Sequence, residues 1–508
     1  MAIEVEKSNL SINQIVADKN ENVMIEGDCI VPDVKPDILE IIGTSGIINV
    51  YKREVSDGKV RIDGCIQAYI MYMANDENGR SVRSINHTLD FSQVISVENV
   101  TSEMNDLGEV TLQSLNCKII NERKISLKAS VNFGVKIFTN SNVEFVNNVN
   151  LNDIQKLENT LSVNSVLGIG RTKTNINENV TIDNTNNLAE ILRVTTKTMN
   201  MDTKISYNKI LTKADLNLKI MYLSEDGRIN VTNSTFPVMG FIDMQDVAED
   251  NICVPSIEIK NMLLRPNGSQ DHSISVDIEM EISAIVYQNR EINVIQDLYS
   301  PSTNLDFIQK NVQTIQNKSI FRGTHTINQR ELLDIGDEKV YDIDINVIPT
   351  DTRVMDGTIE ISGNVEFVFI HSTNSMTGIG SKKLDIPFSY RMQTQSVNMN
   401  TSLQLSYDIT NENFNIMPGG EVDLKVDIEF IANTTNIVNL NLIENVTENQ
   451  NQGNENFNMV IYFTKQNDDL WKIAKTFRST KQTIMQTNNL QDEKIAPGTQ
   501  LFITKCTN

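Results

Sequence analysis

A chain that repeats itself at long intervals must fold as copies of one unit, and this chain carries one pattern three times. Val60–Tyr72 aligns with Ile210–Tyr222 at an offset of 150 residues and with Ile359–His371 at an offset of 299. Gly64 and Gly363 coincide, and the first two copies both end in Ile-Met-Tyr. A polar turn precedes each copy: Ser56-Asp57-Gly58, Ser206-Tyr207-Asn208 and Met355-Asp356-Gly357. A second segment also recurs. Ile125, Leu127, Ala129, Val131, Phe133 and Val135 place an apolar residue at every other position, as do the stretches from Ile274 to Ala284 and from Val422 to Phe430. The second segment begins 65, 64 and 63 residues after the first in the three copies.

Period-two alternation buries one face of a strand and wets the other, which antiparallel sheets allow. Between Val422 and Phe430 the wet positions are Asp423, Lys425, Asp427 and Glu429, charges that keep an outer face soluble. The expected fold is mainly β: three tandem antiparallel sandwich- or barrel-like domains, followed by a small α+β domain. Boundaries are expected at residues 1–160, 161–310, 311–446 and 457–508. A period of 150 residues is too long for a solenoid, so the three units are expected to be separate beads. The polar stretches 171–188 and 309–330 read as linkers near the junctions, and 447–456, which lacks large apolar residues, as a flexible tether.

The last fifty residues read strand, helix, helix, strand. Met459–Lys465 is rich in β-branched and aromatic residues, and Gln500–Thr504 returns as a second strand. Between them Leu470, Ile473, Ala474 and Phe477 make one face of an amphipathic helix, with Asp468 or Asp469 as its cap. Ser479 or Thr480 caps a second short helix that stops at Asn488-Asn489. Trp471, the only tryptophan, falls off the apolar stripe, where a large rigid amphipathic side chain suits an interface.

Charge and motifs narrow the function. A net charge of −22 argues against nucleic acid and anionic membranes as partners. Residues 457–508 run against it, with seven Lys or Arg against four acids. No apolar run is long enough to span a membrane, and the opening Met1-Ala2-Ile3-Glu4 has no signal-peptide pattern. Five scattered cysteines without C-x-x-C spacing read as reduced, mostly buried thiols in a cytosolic compartment. The four histidines are isolated, and no nucleotide, metalloprotease or serine-hydrolase motif occurs. We therefore expect no enzyme, catalytic residue, metal or cofactor. Asp33 and Asp37 read as Pro-Asp turns satisfying local backbone and capping a helix-like run at Ile38–Ile42.

Two family resemblances accompany these readings. Asn467-Asp468-Asp469-Leu470-Trp471, Ile473-Ala474, Asn489-Leu490 and Pro497–Ile503 resemble a LysM domain, the βααβ module known for binding N-acetylglucosamine polymers. Here Asn467-Asp468-Asp469 stands where the family usually has Gly-Asp-Thr. The resemblance implies a partner- or glycan-binding site at Asp469, Leu470, Trp471, Lys472, Lys475, Asn489 and Ile495. The phrase Glu26-Gly27-Asp28, Ile30–Asp33 and Lys35–Leu39, followed by Asp57–Val60, resembles the SPOCS-type domain of clostridial sporulation proteins. Some of these are spore-coat morphogenetic factors that join SPOCS units to a C-terminal LysM. That likeness implies coat assembly in the mother-cell cytoplasm at the forespore surface, with the coat's basement-layer ATPase and other coat proteins as partners. Peptidoglycan or cortex glycan is the alternative ligand.

Overall fold

The computed structural model describes residues 3–76, 79–182, 187–267, 272–335, 338–373, 378–449 and 459–504. The first unit is β1 (Glu4–Ile30), a meander of β2 (Asp37–Ser56), β3 (Lys59–Asp76) and β4 (Gly79–Ser96), then the short β5 (Asn105–Asp106), β6 (Val110–Asn121) and β7 (Lys124–Asn150). The second repeats this order as β8 (Gln155–Thr181), β9 (Leu188–Ser206), β10 (Lys209–Ser224), β11 (Ile229–Asp243), β12 (Ile252–Pro266) and β13 (Ser273–Tyr299). The third is β14 (Leu305–Leu332), β15 (Val340–Met355), β16 (Thr358–His371), β17 (Gly380–Gln393), β18 (Ser402–Ile416) and β19 (Glu421–Glu448). The two segments that recur in the sequence are the middle strand of each meander and the long returning strand.

In every unit the first and last strands pair antiparallel along their whole length, Glu4 with Asn150, Gln155 with Tyr299 and Leu305 with Glu448 at one end. Each ribbon is about 90 Å long at 3.3 Å per residue. Its inner half forms a sandwich with the meander around its own core, containing Ile62, Ile66, Leu127 and Phe133 in the first unit, Leu216, Ile220, Ile278 and Met280 in the second, and Phe367, Phe369, Ile428 and Phe430 in the third. Bulges recur in register: Val16, Leu167 and Gln316 are extra residues on the incoming strands, and Asn147, Gln296 and Glu444 on the returning ones. A bulge bends and twists a ribbon.

The outer halves pack on one another as a three-ribbon stem. Leu10, Val143 and Phe145 meet Val163 and Val294 of the second unit and Val312, Leu440 and Leu442 of the third. Beyond the sandwiches the meanders converge as well, joining Met71 and Met73 to Leu192, Met221 and Ile370. Charged side chains bridge the seams. Buried Arg53 reaches Asp106 at 2.9 Å and Glu258 of the second unit at 3.1 Å, and Lys219 reaches Asp342 of the third at 2.9 Å.

The units therefore have their own cores but are not separate beads. The expected boundaries at 160/161 and 310/311 fall inside β8 and β14, and the stretches read as linkers are largely those strands. Their polarity comes from lying at a ribbon edge with one face in water, which in composition looks like a linker. Residues 447–448 close β19, and 450–456 of the expected tether lie outside the described residues. Ile38–Ile42 belongs to β2 instead of a helical run. Asp37 pairs with Arg123 at 3.0 Å, and the same guanidinium takes the carbonyls of Val31, Pro32 and Lys35.

Candidate functional site

The C-terminal module is β20 (Met459–Phe463), α1 (Leu470–Thr476), α2 (Lys481–Asn488) and β21 (Gln500–Thr504). Leu470, Ile473, Ala474, Ile484, Leu501 and Ile503 fill its core. Asp469 caps α1 by accepting from the Lys472 N–H at 2.7 Å, and Thr480 caps α2 through the Thr483 N–H. Asn467 lies at φ 69°, the left-handed region that glycine usually fills and asparagine tolerates. The Asn467-Asp468-Asp469 departure thus keeps the loop geometry. Asp468 accepts from the Lys465 N–H and the Tyr462 hydroxyl, both at 2.7 Å, and these hold its carboxyl below the usual range. Thr464 clamps the two loops of this end together, bonding the Ala496 carbonyl at 2.7 Å and the Thr499 backbone.

Three faces remain. The first lies against the tip of the second ribbon. Trp471 is 9% exposed. Its indole N–H donates to Asp297 at 2.8 Å and its ring meets Tyr299 edge-on, centroids 5.0 Å apart. Lys475 donates to the other Asp297 oxygen at 2.5 Å and lies 5.3 Å over the Phe307 ring. The Tyr299 hydroxyl donates to the Ser479 carbonyl at 2.9 Å, and Arg478 bonds Asn304.

The second face is the outer side of the two-stranded sheet. Met459, Ile461 and Phe463 are 57, 53 and 61% exposed, and Phe502, opposite Ile461, is 40% exposed. The third is a shallow groove of about 660 Å³ beside α2, lined by Gln482, Met485, Gln486, Asn489 and Leu490 and by Gln155 from the second unit.

The SPOCS domain of the SipL family matches residues 37–120 and 187–265, and the LysM domain family matches residues 462–504. The chain thus carries SPOCS-domain segments followed by a C-terminal LysM domain, the domain order of a SipL-like protein. No curated protein and no solved structure matches it. The third unit lies outside the SPOCS matches, and its kinship rests on the same strand order and the same two bulges. The SPOCS units mark a sporulation-related coat protein, the LysM module is of a glycan-binding class, and both families are non-catalytic binding domains.

The residues expected to form the LysM site do not converge. Leu470 is core and Ile495 packs half-buried against it. Trp471 and Lys475 are engaged with the second SPOCS unit. Asp469 and Lys472 pair with each other at 3.1 Å near the loop end, and Asn489 ends α2 in a left-handed conformation beside the groove. The sheet face was missed, although Met459–Phe463 is apolar on both faces, a pattern that a two-stranded sheet cannot bury.

Elsewhere the chemistry is quiet. Among the described residues no group of three His, Cys, Asp or Glu could hold a metal, and no helix is long and apolar enough to cross a membrane. His371 is held by Glu338 at 2.6 Å and the Ser372 carbonyl at 2.7 Å. Cys29 and Cys65 are buried and Cys117 and Cys253 half-buried, while Cys506 lies outside the described residues. Burial pushes the Cys117 thiol up to about 11.

Proposed function

We propose that the chain is a non-enzymatic spore-envelope assembly protein. Its SPOCS units form a rigid mount, and its LysM module docks onto the basement-layer ATPase of the coat, in the mother-cell cytoplasm at the forespore surface. The observation that carries this reading is the open sheet face of Met459, Ile461, Phe463 and Phe502. A contiguous apolar patch at the end of a molecule suits a protein surface, not a hydroxyl-covered sugar chain. The SPOCS matches supply the sporulation context. In this reading Asp469 and Lys472, paired near the loop end, add polar groups at the edge of the contact.

The competing ligand is peptidoglycan or cortex glycan, favoured by the amide side chains of Gln155, Gln482, Gln486 and Asn489 along the groove. Amides donate and accept, as polyhydroxyl ligands require. Co-sedimentation of the full chain with purified ATPase filaments and, separately, with purified peptidoglycan decides between them. We expect capture by the filaments, lost in Ile461→Asp/Phe463→Asp. Capture by peptidoglycan alone, unaffected by that pair, overturns the reading.

A further inference from the structure

The face of the LysM module that carries the only tryptophan is occupied, and its occupant is a strand of the same chain. We propose that this face is a recognition surface for an extended segment bearing Asp-x-Tyr, which Asp297-Leu298-Tyr299 fills in cis. Residues two apart on a strand share a face, so Asp297 and Tyr299 both point at the module while Leu298 enters the stem core. The Gln296 bulge immediately before them sets this aim.

Every polar group of the strand face is read. One Asp297 oxygen takes the Trp471 N–H, the other takes Lys475, and the Tyr299 hydroxyl finds the Ser479 carbonyl. The Tyr299 ring packs edge-to-face on the indole, the arrangement that ring quadrupoles favour. On the module side Trp471 and Lys475, four residues apart, share one face of α1, and Arg478 follows just beyond its end. Arg478 adopts φ 52°, where glycine or asparagine is usual after a helix, and its guanidinium bonds Asn304 beside the strand. A backbone held in that region at an arginine points to a side chain needed where it lies.

The charge pair is partly open to solvent, with Lys475 39% and Asp297 25% exposed, so it is screened and exchangeable. A second segment of like chemistry, a carboxylate and a phenol two residues apart on an extended edge, competes for the same donors. This surface is distinct from the open sheet face, so either can fail without the other.

The lone tryptophan makes the test direct. In the full chain, Asp297→Ala/Tyr299→Ala is expected to shift Trp471 emission to the red and raise acrylamide quenching severalfold, with circular dichroism unchanged. A synthetic peptide of residues 292–300 then restores the blue emission saturably, and the same peptide carrying Asp297→Ala does not. On the unsubstituted chain the peptide binds at least tenfold more weakly, because the cis segment competes. Should the double variant unfold, Lys475→Glu leaves the strand untouched and is expected to prefer a peptide carrying Asp297→Lys. Emission identical to that of the unsubstituted chain overturns cis occupancy. A red shift that no peptide reverses reduces the contact to a fixed joint and overturns the recognition surface.

Discussion

Lys318 lies in the heart of the molecule, its ammonium on the Thr435 hydroxyl at 2.9 Å and 5.3 Å from the centre of the Tyr287 ring. Burial, with Lys136 nearby adding repulsion and Asp18 opposing it, pushes its pKa down to about 7. The unfolded chain holds that proton to about 10.4. Between those values the unfolded state binds more protons, so stability rises with pH, by at most about 1.4 kcal/mol per unit. Lys197, lowered to about 8 chiefly by burial, acts in the same sense. The urea midpoint is expected to be higher at pH 9 than at pH 7, and Lys318→Met is expected to remove much of the difference. At this scale the sequence was half legible. The position of Trp471 off the apolar stripe set it apart from the module's own core, and the structure lays it against the second unit of the same chain. Its partner Asp297 lies 174 residues away, on a strand whose local pattern says nothing of the module.

At the scale of elements, the coincidence of Gly64 and Gly363 has a steric cause. Each faces a bulge in the neighbouring strand, Tyr51 in β2 and Thr350 in β15. A Cβ would stand 2.3 Å from the Asn49 carbonyl oxygen in the first unit and 2.2 Å from that of Ile348 in the third. The second unit has Ala214 there, beside an irregular stretch of β9. Gly363→Val is expected to cost about 1–3 kcal/mol, as overpacking does, read as a lowered urea midpoint with the slope unchanged. Alternation made the strands readable because side-chain direction is a local property. It did not separate strand from linker in β8 and β14, where an edge position leaves most side chains wet. Nor did it give the start of β2 its fold, since Ile38–Ile42 does not alternate and Pro-Asp turns and helix caps share the same residues.

The three units share a stem that the repeat hides. Stem residues such as Val143, Val294 and Leu442 continue the alternation of the sandwich strands, so nothing local marks them as contacts between units. Calorimetry of the full chain is expected to show the three β units melting in one transition, and Leu442→Asp, which places a charge in the stem core, to lower it for all three together. Three independent transitions would contradict the shared stem. The ribbons also fix how the molecule bears load. Each unit is entered and left at one pole, where Glu4 pairs with Asn150, Gln155 with Tyr299 and Leu305 with Glu448. A pull on that pole parts the rungs of a ladder one at a time instead of shearing all of them at once. Between two anchored layers the protein would yield gradually under tension, paying out chain like a fuse and sparing the anchors at either end.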